Sequence, residues 1–239
     1  MNEKPTAKRR LTRRQVLAGA ATAASAVLGW RAEPAQSGAA GAAAPDGKVC
    51  ILTPEAVQGP FYFDPALVRR DIAEEKAGAP LALTLKVTDA ETCAALDKVR
   101  VDVWHCDGLG VYSGYAREAT GSAEGETFLR GTQFTDGDGK VAFDTIYPGW
   151  YPGRAPHIHF KVILDDKERV TGQLYFPDAV SDRIYATDSP YRERAQQRDT
   201  VNADDFIFLE QRGADTVAEI EEAGGSYRAS LLIGIDRKG

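Results

Sequence analysis

A chain of 239 residues, 43% hydrophobic and 27% charged, can bury one sizeable core, and nothing in its composition asks for two. A net charge of -6 and a pI near 5.2 argue against a nucleic-acid binder, which needs a basic face. The basic residues that do cluster are Lys8, Arg9, Arg10, Arg13 and Arg14, followed by an Ala-rich run over 16–28 and small residues as far as Ala44. That order reads as an export signal, and the run is too short and too weakly apolar for the ~20 residues of a membrane span.

The hexapeptide Thr12-Arg13-Arg14-Gln15-Val16-Leu17 resembles a twin-arginine signal, which implies the twin-arginine export machinery as a partner, a periplasmic or extracellular destination and no stable membrane anchor. Residues 1–44 are therefore assigned to signal and linker, and 45–239 to one domain. Three cysteines in an exported chain predict one disulfide and one leftover thiol. Cys93 falls in a polar turn and Cys106 near the far end of the following strand, more than ~20 Å away at ~3.3 Å per residue, so Cys50 with Cys93 is the expected pair.

In chain order, Pro and Gly spacing makes 52–62 an extended arm. Residues 81–87 and 99–104 alternate and predict two neighbouring strands. The glycine-punctuated run 107–115 must loop, placing Tyr112 just past a strand end, where sites are commonly built. A strand over 128–134, the turn Asp136-Gly137-Asp138-Gly139 and a strand over 141–146 read as a hairpin. Strands over 157–164 and 170–176 follow. A polar covering loop with short helical turns is expected over 178–205, a polar excursion that allows a helix over 215–222, and a last strand over 227–235. Many short strands between turn signals predict an all-β fold, an antiparallel sandwich core with long covering loops and short helical turns.

Chemistry concentrates in 147–160, Tyr-Pro-Gly-Trp-Tyr-Pro-Gly-Arg-Ala-Pro-His-Ile-His-Phe, which holds two of the three histidines. On a strand, His157 and His159 share one face, and Ile158 and Phe160 the other. Two imidazoles are half a metal site. By themselves they fit zinc, or an ordinary strand surface, as readily as iron. Phenolates become ligands near neutral pH only when a strong Lewis acid displaces a proton whose usual pKa is about 10, and Tyr112 and Tyr151 are the candidates.

With these residues in view, the chain resembles the intradiol ring-cleavage dioxygenases of the catechol and protocatechuate type. The likeness runs from Leu52 to about Phe208 through Gly59-Pro60-Phe61-Tyr62, Val103-Trp104-His105, Gly110-Val111-Tyr112, Arg130-Gly131, Thr135-Asp136, residues 145–160 and Gln173-Leu174-Tyr175-Phe176. The resemblance implies mononuclear non-haem Fe(III) held by Tyr112, Tyr151, His157 and His159, with Tyr151 and His159 as the axial pair. It implies O2-dependent cleavage of catechols between the two hydroxylated carbons to cis,cis-muconates, as in aromatic compound catabolism. It further implies that Tyr151 leaves the metal on substrate binding, that Arg154 stabilises negative charge on the ring, that Gln173 assists, and that Pro60 and Tyr62 line the pocket. His105 is not a ligand in this pattern. Two features depart from it: the loop 152–156 is only five residues long, which opens one wall of the pocket, and the helical N-terminal dimerisation region is absent. Two other readings compete: an inactive exported β-sandwich module binding aromatics or cell-wall polymers, and a zinc hydrolase on the histidine pair, for which no acidic general base stands at a recognisable spacing.

Overall fold

The computed structural model of the protein describes residues 50–64, 66–117 and 121–238; the signal and linker expected over 1–44 lie outside these. Alternation along β1 (Pro80–Asp89) sends Leu81, Leu83, Leu85 and Val87 to one face, and in β2 (Arg100–Trp104) it does the same for Val101 and Val103. A minor ribbon, β3 (Ala116–Arg117) and β4 (Gly121–Ser122), precedes β5 (Arg130–Phe134) and β6 (Lys140–Ile146). Next come β7 (His157–Leu164) and β8 (Lys167–Tyr175), then helices α1 (Asp178–Thr187) and α2 (Phe206–Glu210), and last β9 (Glu219–Ala223) and β10 (Ser226–Ile235).

Two four-stranded sheets, β6-β1-β10-β9 and β5-β2-β7-β8, close on one apolar core. Leu83, Leu85, Phe143, Leu231 and Ile233 from the first belong to one buried cluster with Val101, Val103, Ile158, Phe160, Val162 and Leu174 from the second. The sandwich is as expected, with one exception to its antiparallel character: β1 and β10 run parallel, from Leu81 opposite Tyr227 to Asp89 opposite Ile235. Among the described residues no helix is long and apolar enough to cross a membrane.

Three local expectations are corrected. β1 and β2 are not neighbours but face each other across the core, because alternation reports which face is buried and not which strand lies alongside. The turn at 136–139 forms, with the Gly139 amide donating to the Asp136 carbonyl at 2.8 Å, yet β5 and β6 enter different sheets. Thr135 draws β5 towards β2, since its amide donates to the Val99 carbonyl and its hydroxyl accepts from the Val99 amide. Over 213–223 the chain makes a 3-10 turn at Gly213–Thr216 and then the edge strand β9, not a helix. Its glutamates stay exposed and discourage pairing with another sheet edge.

The expected covering segment over 178–205 is built from α1 and two 3-10 turns, Tyr191–Glu193 and Asn202–Asp204. Buried hydroxyls pin it: Tyr185 donates to the Pro148 carbonyl at 2.8 Å and Tyr191 to that of Tyr147 at 2.5 Å. The Cys50–Cys93 disulfide is present, with Cα atoms 5.6 Å apart, and Cys106 is buried outside it. From Cys50 the arm first runs beside β10 of the first sheet and then crosses to the outer face of the second. The Thr53 amide donates to the Gly234 carbonyl, that of Ala56 to Thr171, and the Tyr62 hydroxyl to Asp102.

Candidate metal centre

The outer face of a sandwich sheet normally meets water, but here the arm and the loops bury it, so its residues need not be surface-like. One rung across β5-β2-β7-β8 reads Arg130, Trp104, His159, Gln173, and all four are buried. Trp104 lies flat on His159, with ring centroids 4.8 Å apart and planes 6° from parallel. The next rung pairs His157 with Tyr175.

Two loops bring the tyrosines to this face. After β2, Asp107 folds its loop by accepting the amides of Leu109 and Val111, each at 2.9 Å, and Phe61 of the arm stacks on the Tyr112 ring at 4.3 Å. Gly110, at φ +84°, passes so close to the second loop that a Cβ would stand 2.4 Å from the Trp150 carbonyl oxygen. The residue after that carbonyl is Tyr151, so the close approach of two backbones sets the two phenols together.

The structure thus brings four expected residues to one point. Tyr112 Oη is 3.5 Å from Tyr151 Oη, Tyr151 Oη is 3.0 Å from His157 Nε2, and His157 Nε2 is 3.2 Å from His159 Nε2. Donors about 2.1 Å from a shared ion and 90–110° apart would be separated by about 3.0–3.5 Å, and each of these three neighbouring spacings falls in that range. The His157 Nδ1–H donates to the Ala155 carbonyl at 2.7 Å, leaving the Nε2 lone pair for the common point. Among the described residues the buried His159 Nδ1 finds no hydrogen-bond partner, and Trp104 touches this ring only by stacking. No group of three or more His, Cys, Asp or Glu side chains gathers among the described residues, and the side-chain oxygen that stands beside the histidine pair is that of Tyr151.

Electrostatics suit such a donor set. Burial, with Arg154 adding to it, holds His157 well below the usual imidazole range; burial, His157 and Arg154 do the same for His159. Both rings are therefore neutral lone-pair donors near pH 7. Burial and the neighbouring Tyr151 push Tyr112 well above 10, and burial pushes Tyr151 up to about 12, so each phenol keeps its proton until a Lewis acid displaces it.

Arg154 lies beside this point. Its Nε donates to Asp205 Oδ2 at 2.9 Å, and its Nη2 to Gln173 Oε1 at 2.5 Å and to Tyr175 Oη at 3.1 Å. Burial alone would lower its pKa, but Tyr151, Tyr175 and Asp205 outweigh that and raise it. Both ends of the Gln173 amide are committed, since Oε1 also accepts from Tyr175 and Nε2 donates to the Val57 carbonyl. Pro60 is exposed on the arm, and Tyr62 packs its ring on Trp104, centroids 4.7 Å apart, with its hydroxyl turned to Asp102 at 2.9 Å. His105 stands apart, with Nδ1 on the Cys106 carbonyl and Nε2 on Thr145 Oγ1, each at 2.8 Å. Sequence reasoning missed Asp205, Tyr175 and Asp102. Only Asp205 carried a local signal, as an acidic residue just before the apolar run Phe206-Ile207-Phe208-Leu209.

The profile of the Dioxygenase family (Dioxygenase_C) matches residues 56–205, a span that contains all four clustered residues. An intradiol ring-cleavage dioxygenase from Tetranychus urticae is 33% identical and superposes with a TM-score of 0.72, covering 78% of this chain and 95% of that one. The dioxygenase domain of a dioxygenase carbohydrate-binding protein fusion from the cellulolytic bacterium Streptomyces sp. SirexAA-E is 26% identical, with a TM-score of 0.58 over 77% of this chain and 98% of that one. Catechol 1,2-dioxygenase 1 from Acinetobacter lwoffii is 29% identical over 161 residues, covering 56% of this chain and 50% of that one. The chain spans about half the length of the curated relatives it matches.

Proposed function

Since the chain belongs to the intradiol ring-cleavage dioxygenase family, we propose that it is an exported enzyme using mononuclear non-haem Fe(III) and O2 to open catechols between their hydroxylated carbons, giving cis,cis-muconates. The observation that carries this reading is the convergence of Tyr112 Oη, Tyr151 Oη, His157 Nε2 and His159 Nε2. Two phenolates and two neutral imidazoles suit a hard trivalent ion better than a divalent one. Ferric iron held there would supply Lewis acidity and a template for a catecholate and O2.

The chain's own groups divide the remaining work. Tyr151 is only half-buried, whereas Tyr112 is sealed beneath Phe61, so Tyr151 is the ligand free to swing out and take a catechol proton on its Oη. Arg154 spends Nε and Nη2 on protein partners, which leaves Nη1 as the edge available to negative charge developing on the ring. Gln173 works by holding Arg154 and the arm in register. Pro60 and the Tyr62 ring form the wall nearest the arm. The five-residue loop 152–156 leaves the opposite wall low, with Pro152 and Gly153 exposed, and admits larger or conjugated catechols. Export through the twin-arginine machinery to the periplasm or beyond is supported by the Arg13-Arg14 signal and by the Cys50–Cys93 bond, which suits an oxidising compartment.

The full chain, loaded with iron and supplied with catechol in air, is expected to consume one O2 per ring and release cis,cis-muconate. Binding of catechol without O2 uptake would favour the inactive-module reading. Activity that required zinc would favour the hydrolase.

A further inference from the structure

We infer that Asp205 is a positioning residue of the metal centre, orienting the Arg154 guanidinium through one carboxylate oxygen and fixing His157 through the Ala155 backbone. The inference rests on the role of Arg154 given above and adds a residue some fifty positions away to the same site.

Asp205 is fully buried, and its carboxylate accepts four hydrogen bonds. Oδ1 caps α2, taking the amides of Ile207 at 2.8 Å and Phe208 at 3.2 Å. Oδ2 takes Arg154 Nε at 2.9 Å and the Ala155 amide at 2.8 Å. Helix capping accounts for the first oxygen only. Moreover, α2 is five residues long and none of them is buried, so holding that helix gives little reason to bury a charge. The second oxygen acts on the ligand loop. Ala155 donates its N–H to Asp205 and offers its carbonyl to His157 Nδ1–H at 2.7 Å, so anchoring this residue fixes both the place and the tautomer of the imidazole. Asp205 on one side, with Gln173 and Tyr175 on the other, also fixes the guanidinium plane and selects Nη1 as the free edge. A shift of about 1 Å in such a group costs on the order of 100-fold in rate.

The test separates capping from positioning. Serine is a good N-cap but too short to reach Arg154, so Asp205→Ser keeps the cap and removes the clamp. In the iron-loaded full chain, Asp205→Ser is expected to lower kcat for catechol about 10- to 100-fold with KM changed less than about threefold. In an Arg154→Met background the same substitution should lower kcat several-fold less, leaving only the share that runs through Ala155 and His157. Asp205→Asn gives a second variant if serine fails to fold. Independently of turnover, 15N imidazole spectra of the metal-free protein should show a slowly exchanging Nδ1 proton on His157 in the parent chain and its loss in Asp205→Ser. Equal losses of kcat in both backgrounds, or an unchanged His157 proton, overturn the assignment. A parent chain that cleaves no catechol but still loses the His157 proton on substitution refutes the proposed function and leaves the positioning role standing.

Discussion

His105 lies one residue past the strand that carries Trp104, yet it stays out of the Tyr112-Tyr151-His157-His159 cluster because both ring nitrogens already have partners. Burial, reinforced by the positive Arg130, lowers its pKa to about 4, against about 6.5 for a histidine in the unfolded chain. The fold therefore prefers the neutral ring. Its contribution to stability is complete above about pH 6.5 and is lost as the pH falls towards 4, by up to about 3 kcal/mol. His157 and His159 shift in the same direction. Urea unfolding of the metal-free protein should accordingly show a midpoint that falls steadily below pH 6.5; a midpoint flat from pH 7 to 5 would contradict the burial of these rings. At this scale the four residues that cluster were legible in the sequence, because His-x-His on a strand, a tyrosine six residues earlier and a tyrosine past a strand end are local patterns. Asp205 was not, since nothing in a sequence says that an N-cap's second oxygen meets an arginine fifty residues away.

Strands were readable as elements, and their partners were not. The alternation over 81–87 and 99–104 showed which residues of β1 and β2 share a face, but the assignment of strands to two sheets depends on contacts such as Thr135 with Val99. β9 was hidden because its glutamates favour a helix locally, while pairing with β10 decides its conformation. The elements that matter most to the site are the two tyrosine loops, whose separation is set where Gly110 meets the Trp150 carbonyl. Gly110→Ala would add both a left-handed backbone penalty and a collision at 2.4 Å, whereas Gly125→Ala, at φ +80° with open space around it, adds only the first. Denaturation should find Gly110→Ala the costlier by about 1–3 kcal/mol, together with weaker metal retention. Equal costs would mean that the two loops are not held by this contact.

Across the whole molecule, the sandwich is a platform whose outer face becomes a site only when the arm covers it. Gln173, Asp102 and Thr171 hold that arm down along its length, and the Cys50–Cys93 bond ties its start to the turn after β1. The bond closes a loop with a sequence separation of 43, for which chain entropy gives about 4 kcal/mol and typical measured values are about 2–4 kcal/mol. The double variant Cys50→Ser with Cys93→Ser should lose stability of that order in a reducing-agent-free melt, and a loss below about 1 kcal/mol would show that the hydrogen bonds of the arm suffice. The all-β class was legible because burying one face of each strand leaves a period of two throughout. Coverage of the other face was not, since it depends on where an extended arm lies. The central claim is that Tyr112, Tyr151, His157 and His159 hold one ferric ion, and the visible spectrum of the purified, metal-analysed full chain tests it most directly. One iron per chain with a wine-red tyrosinate charge-transfer band is expected, altered by Tyr112→Phe and by Tyr151→Phe and left in place by His105→Gln. A colourless protein with stoichiometric zinc, or loss of iron on His105→Gln alone, would contradict it.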